Sequence, residues 1–226
     1  MGPSSIRVAP GRPQVTLVVK VIQVCRGIDG LHLDYVRYPG PEYGFNEAAM
    51  NSFRDETGVD PELFIESGQE ISEVMGQASV DAFQRQWKNF KLRSISNLVI
   101  ALNERIESSG KPILLTAAVK PNPVSAREQN YQNWVRWVRS GTLDYAVPMN
   151  YNADLTRFMK NLESILTLVP PKKLIMGIGA FNQNHFDVES KIYKSKSRGI
   201  EDFIFFSYNE ILEEEEYMKA IERALE

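Results

Sequence analysis

Strand-like and helix-like segments alternate along the second half of the chain, and this pattern constrains the fold more than any other feature. Short apolar runs bounded by glycine, proline or polar residues predict strands, and longer stretches with helical spacing predict helices. The predicted strands are 113–119, 143–149, 173–179 and 203–207, and the predicted helices are 129–139, 155–168, 188–198 and 213–225. Such alternation indicates right-handed crossovers and a parallel sheet.

A fifth strand is predicted at 30–36, upstream of this alternation. The run is entered through glycine, is closed by Pro-Gly, and is apolar or aromatic except for His32, Asp34 and Arg37. Because side chains alternate along a strand, His32 and Asp34 share one face. The carboxyl ends of parallel strands are where α/β proteins place their chemistry. Asp34 is therefore the first candidate for a catalytic residue.

The residues around this strand predict helices and one long excursion. Helices are expected over 13–27, which includes Cys25, over 46–57, and over 81–110, whereas 39–45 is expected to be a loop and 61–77 is weakly patterned. Residues 39–110 thus form a long excursion between the first strand and the second. Five strand–helix units are too few for a closed barrel of eight. The residues alone are compatible with two folds. One is an open five-stranded sheet, which they favour, and the other is part of a barrel.

Composition narrows the class of protein and of partner. The formal charge of −3 and the absence of a basic stripe argue against a nucleic-acid partner. One cysteine excludes an internal disulfide framework, and two distant histidines make a zinc cluster unexpected. No stretch reaches membrane-spanning length, and the first residues lack the basic and apolar regions of a signal peptide. Nothing marks a second domain, so 1–226 is interpreted as one domain.

Several segments, taken in order, resemble a known family. These segments are 9–15, 29–39, 44–46, Phe53, 57–61, 87–90, 132–134, 147–151, 177–181 and 206–208. Each is weak alone, but their order and spacing are similar to the glycosyl hydrolase-like 10 family of bacterial proteins. The resemblance covers almost the whole chain and implies hydrolysis of O-glycosidic bonds in a poly- or oligosaccharide.

The resemblance also changes the expected fold. The family fold is similar to a (β/α)8 TIM barrel, and on that template 30–36 is the fourth strand, so the five strands correspond to strands 4 to 8. The resemblance therefore implies an incomplete barrel whose first three strands lie upstream of Met1, with Ile6–Ala9 as the tail of the third unit. In that case the missing signal peptide carries no information about localisation, although proteins of the family are often exported or associated with the envelope.

Glycoside cleavage needs two carboxyl groups across the scissile bond. Asp34 fits the nucleophile or stabiliser, with Arg37 close enough to hold it ionised. The alternative for this pair is a buried ion pair that fixes the loop at Pro39. No cofactor and no metal are expected.

The second carboxyl group is harder to assign. Lys120 occupies the end of the next strand, where an acid is expected. Asp154, Asp187 and Glu210 follow later strands, and the first two are more simply helix caps. Glu210 is the first candidate for the general acid, with a solvated helix start as its alternative. The acid can also belong to the absent strands.

The residues expected to contact the sugar surround Asp34 at the same ends of the strands. They are His32, Arg37, Tyr38, Met149, Asn150, Tyr151 and Tyr208, and packing or filling of the barrel interior is the alternative for most of them. Gly177 and Gly179 indicate close backbone approach rather than a phosphate loop, since the spacing of a dinucleotide motif is missing.

Two other functions stay open at this point. Lys120 at the acid position favours a non-hydrolytic carbohydrate-binding barrel. An inactive fragment of a larger glycosidase would instead expose unpaired sheet edges and self-associate through them.

Overall fold

The computed structural model describes residues 27–66 and 68–226. The helix expected upstream of Gly27, with Cys25, and the segment Ile6–Ala9 lie outside them. The described helices and strands are β1 (Gly30–Leu33), α1 (Glu47–Thr57), α2 (Glu62–Glu66), α3 (Gly68–Met75), α4 (Gln77–Ser108), β2 (Leu114–Val119), α5 (Pro123–Asn130), α6 (Trp134–Arg139), β3 (Tyr145–Pro148), α7 (Leu155–Leu166), β4 (Ile175–Gly179), α8 (His185–Lys196), β5 (Asp202–Phe206), α9 (Tyr208–Glu213) and α10 (Glu215–Leu225). Within these ranges, no helix is both long and apolar enough to cross a membrane.

The strands lie side by side in the order in which they occur along the chain. β1 pairs with β2, β2 with β3, and β4 with β5, all in parallel. Single parallel bridges, Ala146 with Leu174 and Met149 with Gly177, connect β3 to β4. The prediction of an α/β fold with parallel strands is therefore confirmed. A strand order that never reverses differs from a doubly wound sheet, in which the order changes direction at one point.

The two faces of the sheet differ in their surroundings. Leu115, Ala117 and Ile178 are fully buried on the face that packs against the helices, and they belong to one large apolar cluster. The opposite face, called here the open face, carries apolar side chains in contact with solvent: Leu114 is 48 % exposed, Ile204 40 % and Phe206 53 %. Right-handed crossovers that all advance in one direction place their helices on one face, which explains this asymmetry.

The excursion between β1 and β2 forms its own apolar cluster. Phe53 from α1 packs edge-on against Phe83, Trp87 and Phe90 from α4. The predicted start and end of α1 are confirmed, because the side chain of Asn46 accepts the N–H of Ala49 and Gly58 ends the helix with a φ of 71°. α4, with 32 residues, begins earlier than the expected start near residue 81.

Two boundaries differ from the sequence prediction for the same physical reason. β1 ends at Leu33 rather than at residue 36, because Tyr35 has a φ of 53°, which no strand accommodates. The helix expected over 129–139 is divided into α5 and α6 by Tyr131, whose φ is 54°. A left-handed residue other than glycine leaves no mark on the apolar periodicity, so neither break was predicted.

Candidate active site

The carboxyl ends of the five strands form one edge of the sheet, and the candidate residues lie along it. Asp34 directly follows β1, Lys120 follows β2, and Tyr151 lies just beyond β3. Phe206 is the last residue of β5. The register of the strands, rather than their spacing in the sequence, brings these positions together.

Asp34 is exposed to solvent at this edge. One carboxylate oxygen, Oδ1, accepts the backbone N–H of Tyr35 at 2.8 Å, which orients the side chain within the turn that ends β1. The side chain does not enter the layer between sheet and helices. It is therefore placed where a bound ligand can reach it.

Arg37 does not hold Asp34 in the way that the sequence suggested. Among the described residues, no ion pair joins the two side chains. The guanidinium carbon of Arg37 instead lies 4.6 Å from the centre of the Tyr35 ring, and the Arg37 backbone N–H donates to the carbonyl of Tyr35 at 2.7 Å. Its Nη1 atom is buried and makes no hydrogen bond with any described group. The ion pair fixing the loop at Pro39 is likewise not found, and Arg37 stacks on the turn instead.

His32 lies on the open face beside Asp34. Its Nδ1 atom is 2.8 Å from the Thr116 hydroxyl of β2, which fixes the orientation of the ring. Desolvation lowers the pKa of His32, and the negative charge of Asp34 partly opposes this effect. The ring is thus mainly neutral near pH 7. One of its nitrogens can then donate a hydrogen bond to a hydroxyl, and the other can accept one.

Tyr151 belongs to the same electrostatic environment. Burial raises the pKa of its phenol, the charge of Asp34 raises it further, and the charge of Arg37 acts in the opposite direction. The phenol therefore keeps its proton at neutral pH and can donate a hydrogen bond. Tyr151, just beyond β3, thus faces the same region as Asp34 and Arg37, which both follow β1.

Asn150 has a different environment from the one that its predicted sugar contact requires. It is fully buried, its Nδ2 donates to the carbonyl of Phe158 at 2.9 Å, and its Oδ1 accepts from Asn161 at 2.9 Å. Both amide atoms are thus bonded to α7. This placement agrees with the packing alternative and leaves neither atom for a ligand.

Of the other residues predicted to contact the sugar, Tyr38 and Met149 pack against neighbouring residues, whereas Tyr208 is exposed. The Tyr38 ring packs edge-on against Tyr131 at 5.6 Å and lies next to Gly44 of the excursion. Met149 is partly buried and bridges to Gly177 of β4. Tyr208, the first residue of α9, is 65 % exposed.

Glu210 has the environment of a helix cap. The hydroxyl of Ser207 donates to its carboxylate, and this bond is the main cause that lowers the pKa of Glu210, with backbone hydrogen bonds from Glu210 and Ser207 adding to it. A serine three residues before a glutamate at a helix start is the spacing of a capping box. A general acid instead needs a raised pKa. The physical environment of Glu210 therefore opposes its predicted role.

The remaining polar residues at this edge also have local partners. Asp154 caps α7, because its carboxylate accepts the N–H of Arg157 at 2.7 Å, as expected. Asp187, expected as a cap, instead lies in the first turn of α8, and the cap is Asn184, whose side chain accepts the N–H of Asp187 at 3.0 Å. The backbone N–H of Lys120 donates to Gln132 Oε1 at 2.9 Å, and its side chain is partly exposed.

Two buried amides that the sequence analysis did not single out as site residues hold this edge together. Gln132 is fully buried and donates from Nε2 to the carbonyls of Ala118 and Val36, at 3.0 and 3.4 Å. Asn130 donates to the carbonyls of Tyr38 and Pro39, at 3.0 and 2.9 Å. These bonds connect the segment after Asp34 to the end of β2. In the sequence, this structural role of the two amides was indicated only by the segment 132–134, one of the segments that resemble the family.

The close backbone approach expected at the glycines is confirmed at Gly177. A Cβ atom there would lie 2.6 Å from the carbonyl oxygen of Pro148 in β3. Glycine thus allows β3 and β4 to come together at the edge that carries Tyr151. In the part of the chain that the structure describes, no group of three or more His, Cys, Asp or Glu side chains could hold a metal ion.

Comparison with known proteins gives a family and similar solved structures. No curated protein matches the chain. A solved structure, the crystal structure of chitinase from Chromobacterium violaceum ATCC 12472, is similar over 93 % of this chain and 95 % of that one, with 11 % sequence identity and a TM-score of 0.48. A family model described as glycosyl hydrolase-like 10 matches residues 4–171. With most of its length matched, the chain belongs to the glycosyl hydrolase-like 10 family.

Proposed function

We propose that the protein hydrolyses O-glycosidic bonds of a poly- or oligosaccharide, with Asp34 as a catalytic carboxylate. Membership of the family supports a glycoside-hydrolase-like function. The observation that carries the proposal is the solvent-exposed carboxylate of Asp34 at the carboxyl end of β1. Of Asp34, Asp154, Asp187 and Glu210, the four carboxylates considered for catalysis, Asp34 alone lies outside the first turn or cap of a helix.

We also propose that the sheet is part of a TIM-type barrel, corresponding to strands 4 to 8 of such a fold. The sequential parallel order of the strands and the helices along one face support this arrangement. On this basis the open face is the inside of the barrel, and the edge with Asp34 is its catalytic end. The whole chain then forms a single domain, with 39–110 as a long excursion from it.

In this mechanism, Asp34 either attacks the anomeric carbon as the bond to the leaving oxygen breaks, forming a glycosyl ester that water then hydrolyses, or stabilises the positive charge there while water attacks the same carbon. Among residues 27–66 and 68–226, its carboxylate accepts one hydrogen bond, from the Tyr35 N–H to Oδ1, which leaves the other carboxylate oxygen, Oδ2, to face the sugar. Tyr151 donates a hydrogen bond to a sugar hydroxyl, and His32 does so from deeper in the site. The leaving oxygen takes its proton from a second acid, for which the environment of Glu210 is unfavourable.

A second candidate function is carbohydrate binding without hydrolysis. Two observations favour it: Lys120 stands at the end of β2, and the lowered pKa of Glu210 keeps this carboxylate ionised. Both leave Asp34 without an evident acid partner, whereas the groups that would bind a sugar remain in place.

Asp34→Asn separates the two functions, with Asp29→Asn as the matched control. Asp29 is also exposed and lies just before β1, at the opposite end of the same strand. Release of reducing ends from soluble polysaccharides and of aryl groups from aryl glycosides measures hydrolysis. Removing a catalytic carboxylate is expected to reduce kcat by about a thousandfold or more, while Asp29→Asn changes it less than about twofold.

Binding of the same glycans is measured in parallel. Wild-type protein that binds a glycan but releases no product, with Asp34→Asn binding equally well, would contradict hydrolysis and support the second function. Loss of hydrolysis in Asp34→Asn with retained binding would support the catalytic assignment.

A further inference from the structure

Three aromatic rings are grouped beside the candidate site. Tyr151 and Phe206 are nearly parallel, at 12° and 5.6 Å between ring centres. Phe181 stands almost perpendicular to both, 6.0 Å from each. Phe181 is 49 % exposed and Phe206 53 % exposed, so large apolar surfaces face solvent at this edge. Phe181, Phe206 and Tyr151 are called here the aromatic platform.

The backbone around the platform fixes its shape. A Cβ atom at Gly179 would lie 3.0 Å from the Phe181 ring, 3.1 Å from Tyr151 Cβ and 3.2 Å from the Asn182 side-chain oxygen. Any side chain at Gly179 would therefore push against Phe181, Tyr151 or Asn182. The Asn182 amide donates to the Tyr151 carbonyl at 2.8 Å, which connects the segment after β4 to the segment after β3.

The platform is continuous with the site around Asp34, because Tyr151 belongs to both. Its ring stacks on Phe206, and Asp34 and Phe206 both lie at the carboxyl edge of the sheet, Asp34 directly after β1 and Phe206 at the end of β5. A ligand whose one part lies against Phe206 and Phe181 thus brings another part toward the carboxylate. Asp34 and the platform together form a surface with an apolar region and a charged region side by side.

We propose that the aromatic platform binds the apolar face of a pyranose ring in an oligosaccharide of equatorially linked sugars. This inference rests on the proposed carbohydrate function and names the class of sugar and the residues that select it. A pyranose with equatorial substituents directs its hydroxyls outward and presents axial C–H groups on its faces. Such a face matches an exposed aromatic ring, and the hydroxyls at its rim remain free for hydrogen bonds such as that of the Tyr151 phenol.

The experiment measures binding by isothermal titration calorimetry with two such glycans, cellohexaose and N-acetylchitohexaose. The variants are Phe206→Ala, Phe181→Ala and Phe206→Leu. Phe186→Ala is the matched control, since Phe186 is 66 % exposed but lies in α8, with its ring against His185. Use of the Asp34→Asn background prevents turnover during the titration.

At least one hexasaccharide is expected to bind, and each platform alanine variant is expected to raise its Kd roughly five- to tenfold. Phe206→Leu keeps an apolar side chain but loses the flat ring, so it is expected to weaken binding nearly as much as Phe206→Ala. Phe186→Ala is expected to leave the Kd within about twofold of the parent. Thermal unfolding of each variant controls for loss of the fold.

Several outcomes would overturn the proposal. They are no binding of either glycan by the Asp34→Asn parent, unchanged affinity in both platform alanine variants, or full affinity in Phe206→Leu. Sedimentation that shows a dimer broken by Phe206→Ala would assign the platform to self-association instead. If wild-type protein hydrolyses nothing but the platform variants still lose binding, catalysis fails while this inference stands.

Discussion

The ammonium nitrogen of Lys91 lies 3.9 Å from the centre of the Tyr131 ring, inside the protein. It also donates hydrogen bonds to the carbonyls of Pro41 and Tyr43, at 2.7 and 3.2 Å. Lys91 belongs to α4, and both carbonyls belong to the loop that follows the turn with Asp34. A single buried side chain thus fixes the start of the excursion relative to the candidate site.

The pKa of Lys91 makes this contact depend on pH. Burial lowers the pKa from 10.5 to about 8, and the charge of Glu42 only partly opposes this. In the folded protein Lys91 loses its proton above about pH 8, whereas the unfolded chain keeps it up to about pH 10.5. Between these values the unfolded state binds more protons, so the contribution of Lys91 to the free energy of unfolding rises with pH, by up to about 3 kcal/mol.

Lys91→Met tests this prediction, since it keeps the length of the side chain and removes the titrating group. Urea unfolding is measured for both proteins at pH 7, 9 and 10.5. The difference in the free energy of unfolding between wild type and variant is expected to shift in favour of wild type as pH rises. The comparison cancels the titration of other lysines and tyrosines, and a difference that stays constant over this range would contradict the lowered pKa.

A second prediction concerns Gln132, whose amide connects the segment after β1 to the end of β2. Gln132→Leu is similar in size but leaves the carbonyls of Val36 and Ala118 and the N–H of Lys120 without this partner. Because these groups are at a buried position, the free energy of unfolding is expected to fall by about 2–4 kcal/mol. Urea unfolding measures it. Gln129→Leu, at an exposed position of α5, is the control and is expected to change it by less than about 0.5 kcal/mol.

Gln132 also shows what the sequence could and could not predict. The five strands, the cap at Asn46 and the position of Asp34 at a strand end followed from local patterns, because periodicity and capping are local properties. Asn130 and Gln132 fell within the predicted helix 129–139, and nothing in its pattern singled them out, since their hydrogen bonds reach segments far away in the sequence. Phe181 and Phe206 were not singled out by the sequence, because nothing local indicates that the open face leaves them exposed.

A third prediction distinguishes whether Glu210 acts as the general acid or only stabilises the start of α9. Its lowered pKa means that Glu210 stabilises the folded state above the unfolded value of 4.5, and that this contribution is lost as pH falls through the folded pKa. Glu210→Gln is therefore expected to lower the melting temperature at pH 7, and to lower it less at pH 3. If the protein hydrolyses glycosides, kcat is expected to change less than about threefold. A loss of a hundredfold or more, with the acidic and basic limbs of the pH profile altered, would restore Glu210 as the general acid.

The last prediction concerns Asn150, for which sequence and structure suggest different functions. Its buried amide bonds both Phe158 and Asn161 of α7, so Asn150→Ala is expected to lower the free energy of unfolding by about 2–3 kcal/mol. Urea unfolding and glycan titration are measured on the same samples, with Asn152→Ala, at a partly exposed position nearby, as the control. Asn161→Ala removes one partner, and in a double-mutant cycle it is expected to couple to Asn150→Ala by about 1 kcal/mol. A stability unchanged by Asn150→Ala, together with a tenfold loss of glycan affinity, would instead identify this amide as a sugar ligand. The two measurements therefore decide whether Asn150 binds the substrate or holds α7 against the strand that carries Tyr151.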